Sequence, residues 1–228
     1  MFSVIITAYN SEKWIEKSIN SLIQQSYGDW ECIIVENGSK DSTKDIILNI
    51  KDKRFNVYNL EITNKSSALN FGIIKSNFDW ISILDSDDLW TKNKLELQNK
   101  YISLNNDVDI LGTQLKYIDE FDKEIMNSPI LPISHEKIVE NFNLNQNSIA
   151  NSSAVYKKKI HNLVGYYDVE LNGVEDYDFW KKCVKFNLNF YNLSEKCLLH
   201  RIHNTSNFNS KEKQKHLKNF IDNKHKII

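Results

Sequence analysis

Residues 80–98 read WISILDSDDLWTKNKLELQ. The first five, WISIL, have the apolar, partly β-branched composition of a buried strand. They run straight into Asp85-Ser86-Asp87-Asp88, and the residues beyond, with Leu95, Tyr101 and Ile102, return to helical spacing. A strand that ends in a polar cluster and hands over to a helix is the repeating unit of an open α/β sheet. In such sheets ligands bind beyond the carboxyl ends of the strands.

The same alternation leads up to this stretch. FSVIIT (2–7) reads as a strand, followed by a helix with Trp14, Ile15, Ile19, Leu22 and Ile23 on one side. ECIIVE (31–36), DSTKDIILNI (41–50), FNVYNL (55–60) and KSSALNFGIIKS (65–76) continue as strand, helix, strand and helix. Strand and helix taking turns predict right-handed crossovers and a mostly parallel sheet. Further on the pattern changes to VDILG (108–112), QLKYI (114–118), a turn-like DEFDKE (119–124), a helical stretch at 135–143 and a strand-like SIANSSAVY (148–156). The second half is therefore expected to be mixed α+β.

No stretch is rich enough in Pro, Gly or Ser to act as a domain linker, so one domain is expected. The final SKEKQKHLKNFIDNKHKII (210–228) reads as a basic helix with Leu217, Phe220 and Ile221 on one face. One apolar stripe is what an ordinary surface helix packs on its domain. A membrane surface or a partner, including a second copy in a homodimer, are the alternatives.

A formal net charge of -1 over 228 residues lacks the basic surplus that phosphate-backbone binding needs, so a nucleic-acid partner is not expected. No apolar run approaches the roughly 20 residues that span a bilayer. Met1 leads directly into FSVIIT without the pattern of a signal peptide. A cytoplasmic chain, peripheral at most at the inner face of the membrane through its tail, is the expectation. Cys32, Cys183 and Cys197 are odd in number and far apart, and read as buried thiols in a reducing compartment. Hydrophobic content of 41% with aromatics throughout argues for a packed globule.

The polar clusters fall where strands end: Thr7-Ala8-Tyr9-Asn10, Glu36-Asn37-Gly38-Ser39 and the aspartate run. Three carboxylates among residues 85–88 repel one another unless a cation or solvent compensates. Alternate residues of an extended segment point the same way, so Asp85 and Asp87 can flank one site. Hard oxygen ligands at few positions suit Mg²⁺ or Mn²⁺ held jointly with a diphosphate. A solvated turn, or carboxylates at a helix start, is the other reading.

SVIITAYN (3–10), IIVENGSKDST (33–43), NKSSALN (64–70) and residues 80–98 resemble, in order, the successive signatures of the family 2 glycosyltransferases. GVEDYDFWKK (173–182) resembles that family's Glu-Asp segment before its catalytic helix, and LLHRIHNTS (198–206) its late Tyr/Arg-x-His element. The resemblance implies a single GT-A domain over 1–206, with a Rossmann-like, mostly parallel sheet flanked by helices. Residues 1–112 form its nucleotide-sugar-binding half and 113–206 a mixed acceptor half, and the basic helix of 207–228 lies outside the likeness.

The resemblance also implies roles. Thr7, Tyr9 and Asn37 hold the nucleoside base, Asp85 contacts ribose or metal, and Asp87 ligates a divalent ion bridging the diphosphate. His203 approaches the metal or diphosphate, and Asp176 is the general base. Glu175 is the second candidate; Glu175, Asp176 and Asp178 compete for that role, and at least one of the three is expected to be a helix N-terminal charge. Glu36-Asn37 stands where an Asp-Asp pair is frequent, and the Asn amide both donates and accepts, as uracil requires. Lys65-Ser66 stands where glycine is frequent; Lys65 reads either as a phosphate contact or as an exposed loop lysine. Phe179 and Trp180 read as core in preference to an acceptor platform. A strand reading places His200 and His203 on one side.

The implied activity is inverting transfer of a hexose-type sugar from a nucleotide donor, UDP-linked by expectation, to a hydroxyl of a glycan or lipid-linked acceptor in cell-surface polysaccharide synthesis. A nucleotidyltransferase would want a Gly/Arg/Lys-rich phosphate loop near its start, which TAYNSEKW lacks. A glycan- or partner-binding module without turnover is the remaining rival. Asp85, Asp87, Asp176 and His203 together argue against it.

Overall fold

Strand β1 (Phe2–Ala8) is buried along its whole length, as an apolar run at the centre of a two-sided sheet must be. Its side chains alternate between two cores: Ile5 packs with Leu69, Ile73 and Ile81, whereas Val4 and Ile6 pack with Ile15, Leu22 and Trp30. This computed structural model describes residues 1–204 apart from 62, 127 and 172, together with Asn219, Ile221, Asp222 and His225.

The remaining strands, in chain order, are β2 (Trp30–Glu36), β3 (Phe55–Asn59), β4 (Trp80–Ile83), β5 (Leu89–Trp90), β6 (Ile110–Ile118), β7 (Glu124–Met126), β8 (Val155–Lys157) and β9 (Phe190–Arg201). The helices are α1 (Ile15–Ile23), α2 (Thr43–Leu48), α3 (Lys65–Lys75), α4 (Lys94–Leu104), α5 (His135–Asn143), α6 (His161–Val164) and α7 (Glu175–Lys185).

One sheet runs β3-β2-β1-β4-β8-β6-β9-β5, with β7 beside β6. The first four strands of that order are parallel, as the alternating sequence predicts. Beyond them β8 runs antiparallel to both β4 and β6, while β6 and β9 are parallel, so the sheet as a whole is mixed. Residues 112 and 113 are consecutive within β6, so the boundary expected between two halves falls inside one strand.

Register places the loops. Ala8 faces Glu36 across β1 and β2, and Ile5 faces Ile83 across β1 and β4. The loops carrying Tyr9, Asn37 and Asp85 therefore leave the sheet side by side. Helix α3 is capped by Asn64, whose Oδ1 accepts the Ser67 amide at 2.8 Å. It lies so close to β1 that a Cβ at Gly72 would sit 2.6 Å from Ile5 Cγ2, which is why glycine stands there.

One expectation changes. SIANSSAVY is a strand only at Val155–Lys157, because Asn151–Ser153 forms a 3₁₀ turn in which Ser153 Oγ donates to the Ala150 carbonyl at 2.8 Å. Serine and asparagine side chains compete for backbone partners in this way. Leu217 and Phe220 lie outside the described residues. Ile221 is fully buried in the core with Trp180, and Asp222 accepts from Tyr177 Oη and Lys181 Nζ at 2.8 Å each. These tail residues pack on α7. Among the described residues no helix is long and apolar enough to cross a membrane, and Cys32, Cys183 and Cys197 are free and buried.

Candidate active site

A cleft of about 800 Å³ opens beyond the carboxyl ends of β1, β2 and β4. Thr7, Tyr9, Asn37, Lys65, Asp85, Asp87, Glu175, Asp176 and His203 all line it.

On one side the loops after β1 and β2 brace each other. Asn10, in the left-handed region at φ 48°, accepts the Lys40 amide at 2.9 Å and donates its own amide to Ser39 Oγ at 3.0 Å. Glu36 is buried and takes the Ser39 amide on Oε1 at 2.6 Å, closing the turn at Gly38, where φ is 79°. Glu36 thus shapes the loop, and Asn37 is left to face the cleft. The Asn37 amide donates to the Ala8 carbonyl at 2.9 Å, and its buried Oδ1 has no partner among the described residues. Tyr9 is 46% exposed at the mouth.

At the centre, Ser11 and Ser86 share a 2.7 Å hydrogen bond, and Ser152 Oγ accepts the Asp85 amide at 3.0 Å. Lys65 Nζ lies 2.7 Å from Asp85 Oδ1 and 3.6 Å from Glu175 Oε1. Burial works against the Lys65 charge, but Asp85 and Glu175 outweigh it and raise the pKa above the usual lysine range. Lys65 is therefore an inward-facing cation, not an exposed loop lysine.

Asp87 Oδ2 meets His203 Nε2 at 2.9 Å, and the His203 ring lies over Trp14 with centroids 4.1 Å apart. Burial pushes the Asp87 carboxyl up; the His203 hydrogen bond and the Lys65 charge more than offset this and hold it below its ordinary value. Asp88 turns away from the cleft. It is fully buried, accepts the Arg201 amide at 2.9 Å and pairs with His200 Nδ1 at 3.1 Å, and burial raises its pKa. Burial would lower His200, but Asp88 draws its pKa up to about 9. The expected same-side placement of His200 and His203 does not follow from strand alternation, because they are three residues apart. The strand ends at Arg201, and the chain leaving it brings both to the cleft.

Across the cleft, α7 begins with the carboxylates. Glu175 is buried and takes the Gly173 amide on Oε2 at 2.5 Å. Asp176 is raised to about 6, by burial first and then by the Glu175 charge, with Lys65 opposing. Asp178 is not a cleft residue: it is fully buried and held by Lys182 at 2.6 Å and His225 at 2.8 Å. Phe179 and Trp180 have no exposed surface, so the acceptor-platform reading fails and both are core.

Sequence reasoning missed Trp14, Ser152 and Arg201. The Arg201 side chain is fully buried; Nε donates to the Asp87 carbonyl at 2.7 Å, one Nη to the Asp119 carbonyl at 2.7 Å, and the other pairs with Asp122 at 2.6 Å. It ties the aspartate loop to the turn after β6. Its place inside the RIH element was the available signal.

Asp85, Asp87 and His203 are the residues that could hold a divalent ion: two hard carboxylates two residues apart and an imidazole against Asp87. Among the described residues no three such groups are gathered to hold an ion alone.

The family model for glycosyl transferase family 2 matches residues 3–165. The O-antigen biosynthesis glycosyltransferase WbnJ of Escherichia coli is 34% identical over 213 residues, covering 90% of this chain and 81% of that protein. WfgD of Escherichia coli, a UDP-Glc:α-D-GlcNAc-diphosphoundecaprenol β-1,3-glucosyltransferase, is 27% identical over 216 residues, covering 94% and 82%. Among solved structures, S. aureus TarS 1-349 in complex with UDP-GlcNAc superposes with a TM-score of 0.78 at 22% identity, over 96% of this chain and 65% of that one. The mannosyltransferase PcManGT from Pyrobaculum calidifontis, with GDP-Man and Mn²⁺, gives 0.65 at 15% identity, over 90% and 57%. The structural likenesses establish a shared GT-A fold, and with the family match and the WbnJ identity they lead to one conclusion: the chain belongs to glycosyltransferase family 2.

Proposed function

We propose that this chain is an inverting, divalent-metal-dependent glycosyltransferase that moves a hexose from a UDP-linked donor to a hydroxyl of a glycan or lipid-linked acceptor in cell-surface polysaccharide synthesis. The observation that carries the reading is that carboxylates from two separate elements, Asp85 and Asp87 after β4 and Asp176 on α7, line one cleft. The relatives support it: WbnJ is an O-antigen enzyme, WfgD uses UDP-Glc and a diphosphoundecaprenol-linked acceptor, and TarS is seen with UDP-GlcNAc. A lipid-linked acceptor places the reaction at the inner face of the membrane, with the basic tail as the peripheral contact.

In this reading Asn37 Oδ1 accepts the imide N–H of uracil, Tyr9 lies against the base, and Thr7 completes that side. Asp85, Asp87 and His203 would hold the ion, which would supply positive charge where the nucleoside diphosphate departs. Lys65 adds a fixed ammonium beside the diphosphate.

Asp176 is the base. Its pKa of about 6 leaves it ionised at neutral pH yet more basic than an ordinary aspartate. It takes the proton of the acceptor hydroxyl as that oxygen attacks the anomeric carbon from the face opposite the diphosphate. The bond to the diphosphate oxygen breaks with inversion. Glu175 is occupied by the Gly173 amide and lies beside Lys65. Its part is to raise the basicity of Asp176.

The test is calorimetric titration with UDP, GDP, dTDP and CDP, each with Mn²⁺ and then with EDTA, followed by release of nucleoside diphosphate from the matching nucleotide sugar. Metal-dependent binding of UDP with release is expected. Binding without release identifies the non-catalytic module, and pyrophosphate from a nucleoside triphosphate identifies a nucleotidyltransferase.

A further inference from the structure

Asn151 lines the same cleft, and none of the roles above falls to it. It is 8% exposed, and among the described residues neither its Nδ2 nor its Oδ1 has a hydrogen-bond partner. An amide withdrawn from water and left unpaired is an uncompensated cost to the fold. Native proteins keep such groups at few places, and each needs a reason.

The backbone around it offers no relief. Ser152 Oγ accepts the Asp85 amide at 3.0 Å, and the Ser152 carbonyl accepts Trp90 Nε1 at 2.7 Å. Ser153 Oγ accepts the Thr113 amide at 3.2 Å, and the Ser153 carbonyl accepts Gln98 Nε2 at 2.9 Å. The Asn151 carbonyl itself takes the Ala154 amide at 3.0 Å. The side chains on either side of it are fastened, whereas the Asn151 amide lines the cleft without a partner among the described residues. A binding group held rigid by its neighbours is preorganised.

The ligand follows from the amide's chemistry. It presents N–H donors and a carbonyl acceptor side by side. A phosphate, which only accepts, would leave Oδ1 unpaired. Adjacent hydroxyls of a sugar ring each donate and accept, and so satisfy both ends. Ser152 sets Asn151 one residue from the group that holds Asp85, and therefore beside the diphosphate end of the donor.

We propose that Asn151 is a specificity-determining residue that hydrogen-bonds ring hydroxyls of the transferred hexose. The assignment rests on the transferase reading. An acceptor sugar offers the same chemistry, and the experiment separates the two.

Wild type, Asn151→Leu, which keeps the shape without polar atoms, and Asn151→Ala are titrated with UDP and with UDP-glucose, UDP-galactose and UDP-N-acetylglucosamine in Mn²⁺, and melting temperatures are recorded. The expected result is unchanged UDP affinity, about tenfold weaker binding of the preferred UDP-sugar, and an Asn151→Leu melting temperature at or above wild type. Equal losses for UDP and UDP-sugar, or none, overturn the proposal, as does a lowered melting temperature with intact sugar binding. A raised acceptor KM with unchanged UDP-sugar affinity overturns the donor assignment in favour of the acceptor. Wild type that binds no UDP or UDP-sugar defeats the transferase reading itself, a result distinct from wild-type binding that the variants leave untouched.

Discussion

The ammonium of Lys65 lies 2.7 Å from Oδ1 of Asp85, joining the first turn of α3 to the loop after β4. The two residues belong to separate strand-to-helix units, and the contact puts a permanent positive charge among the carboxylates of the cleft. Lys65→Met removes it without removing the stem. Diphosphate affinity should fall about tenfold, the scale of one lost hydrogen bond to a charged group. Because Lys65 opposes the rise of the Asp176 pKa, the acid limb of the pH–rate profile should also move to higher pH. Unchanged UDP affinity with an unmoved acid limb would place Lys65 outside the reaction.

As the proposed base, Asp176 should govern the pH dependence. Its carboxyl is raised to about 6 from an ordinary 3.8, chiefly by burial and then by Glu175. A base acts only when ionised, so kcat should fall as pH drops through about 6. Stability runs the other way for this group: the fold binds its proton more tightly than the unfolded chain does, so its contribution is largest below about 4 and is lost as pH rises through about 6. Asp176→Asn should therefore lose about a thousandfold in transfer, keep donor affinity, and unfold at a higher urea concentration than wild type at pH 8. Retained transfer would shift the base role to Glu175.

Asp87 and His203 are tested together, since their 2.9 Å contact would make each the other's neighbour at the proposed ion. Asp87→Asn should abolish the difference between UDP binding in Mn²⁺ and in EDTA while leaving the EDTA value as it was. His203→Ala removes a ligand and also uncovers Trp14, whose ring it overlies; it should weaken Mn²⁺-dependent binding and change the tryptophan emission. Equal Mn²⁺ enhancement in wild type and Asp87→Asn removes the metal assignment.

Much of the cleft was legible because strand ends are legible. Periodicity locates β1, β2 and β4, and the polar residues that follow them, Tyr9, Asn37, Asp85 and Asp87, necessarily emerge at one edge of a parallel sheet. Local pattern could not separate Asp88 from its neighbours, because its burial is decided by β9, which passes it far later in the chain. Nor could it separate Asp176 from Asp178, which share a helical turn; the sheet beneath α7 and the tail residue His225 make that choice. Phe179 and Trp180 are core for the same reason. Trp14 fitted the apolar side of α1 and is at the same time a wall of the cleft, a double role that composition does not announce.

Arg201 is the residue on which this arrangement most depends. It is fully buried, and its guanidinium serves the carbonyls of Asp87 and Asp119 and the carboxylate of Asp122 at once. Lysine cannot reproduce that planar fork, so Arg201→Lys is not conservative. Truncation to Met leaves two part-buried carbonyls without their donor and Asp122 with Lys17 alone, and should cost about 3 kcal/mol in urea unfolding. It should also release the backbone at Asp87, so that Mn²⁺-dependent UDP binding weakens more than metal-free binding does. A loss of stability with both affinities unchanged would make Arg201 a structural brace alone; a selective loss of the Mn²⁺ enhancement would mean that the aspartate loop is held in its working shape from β9.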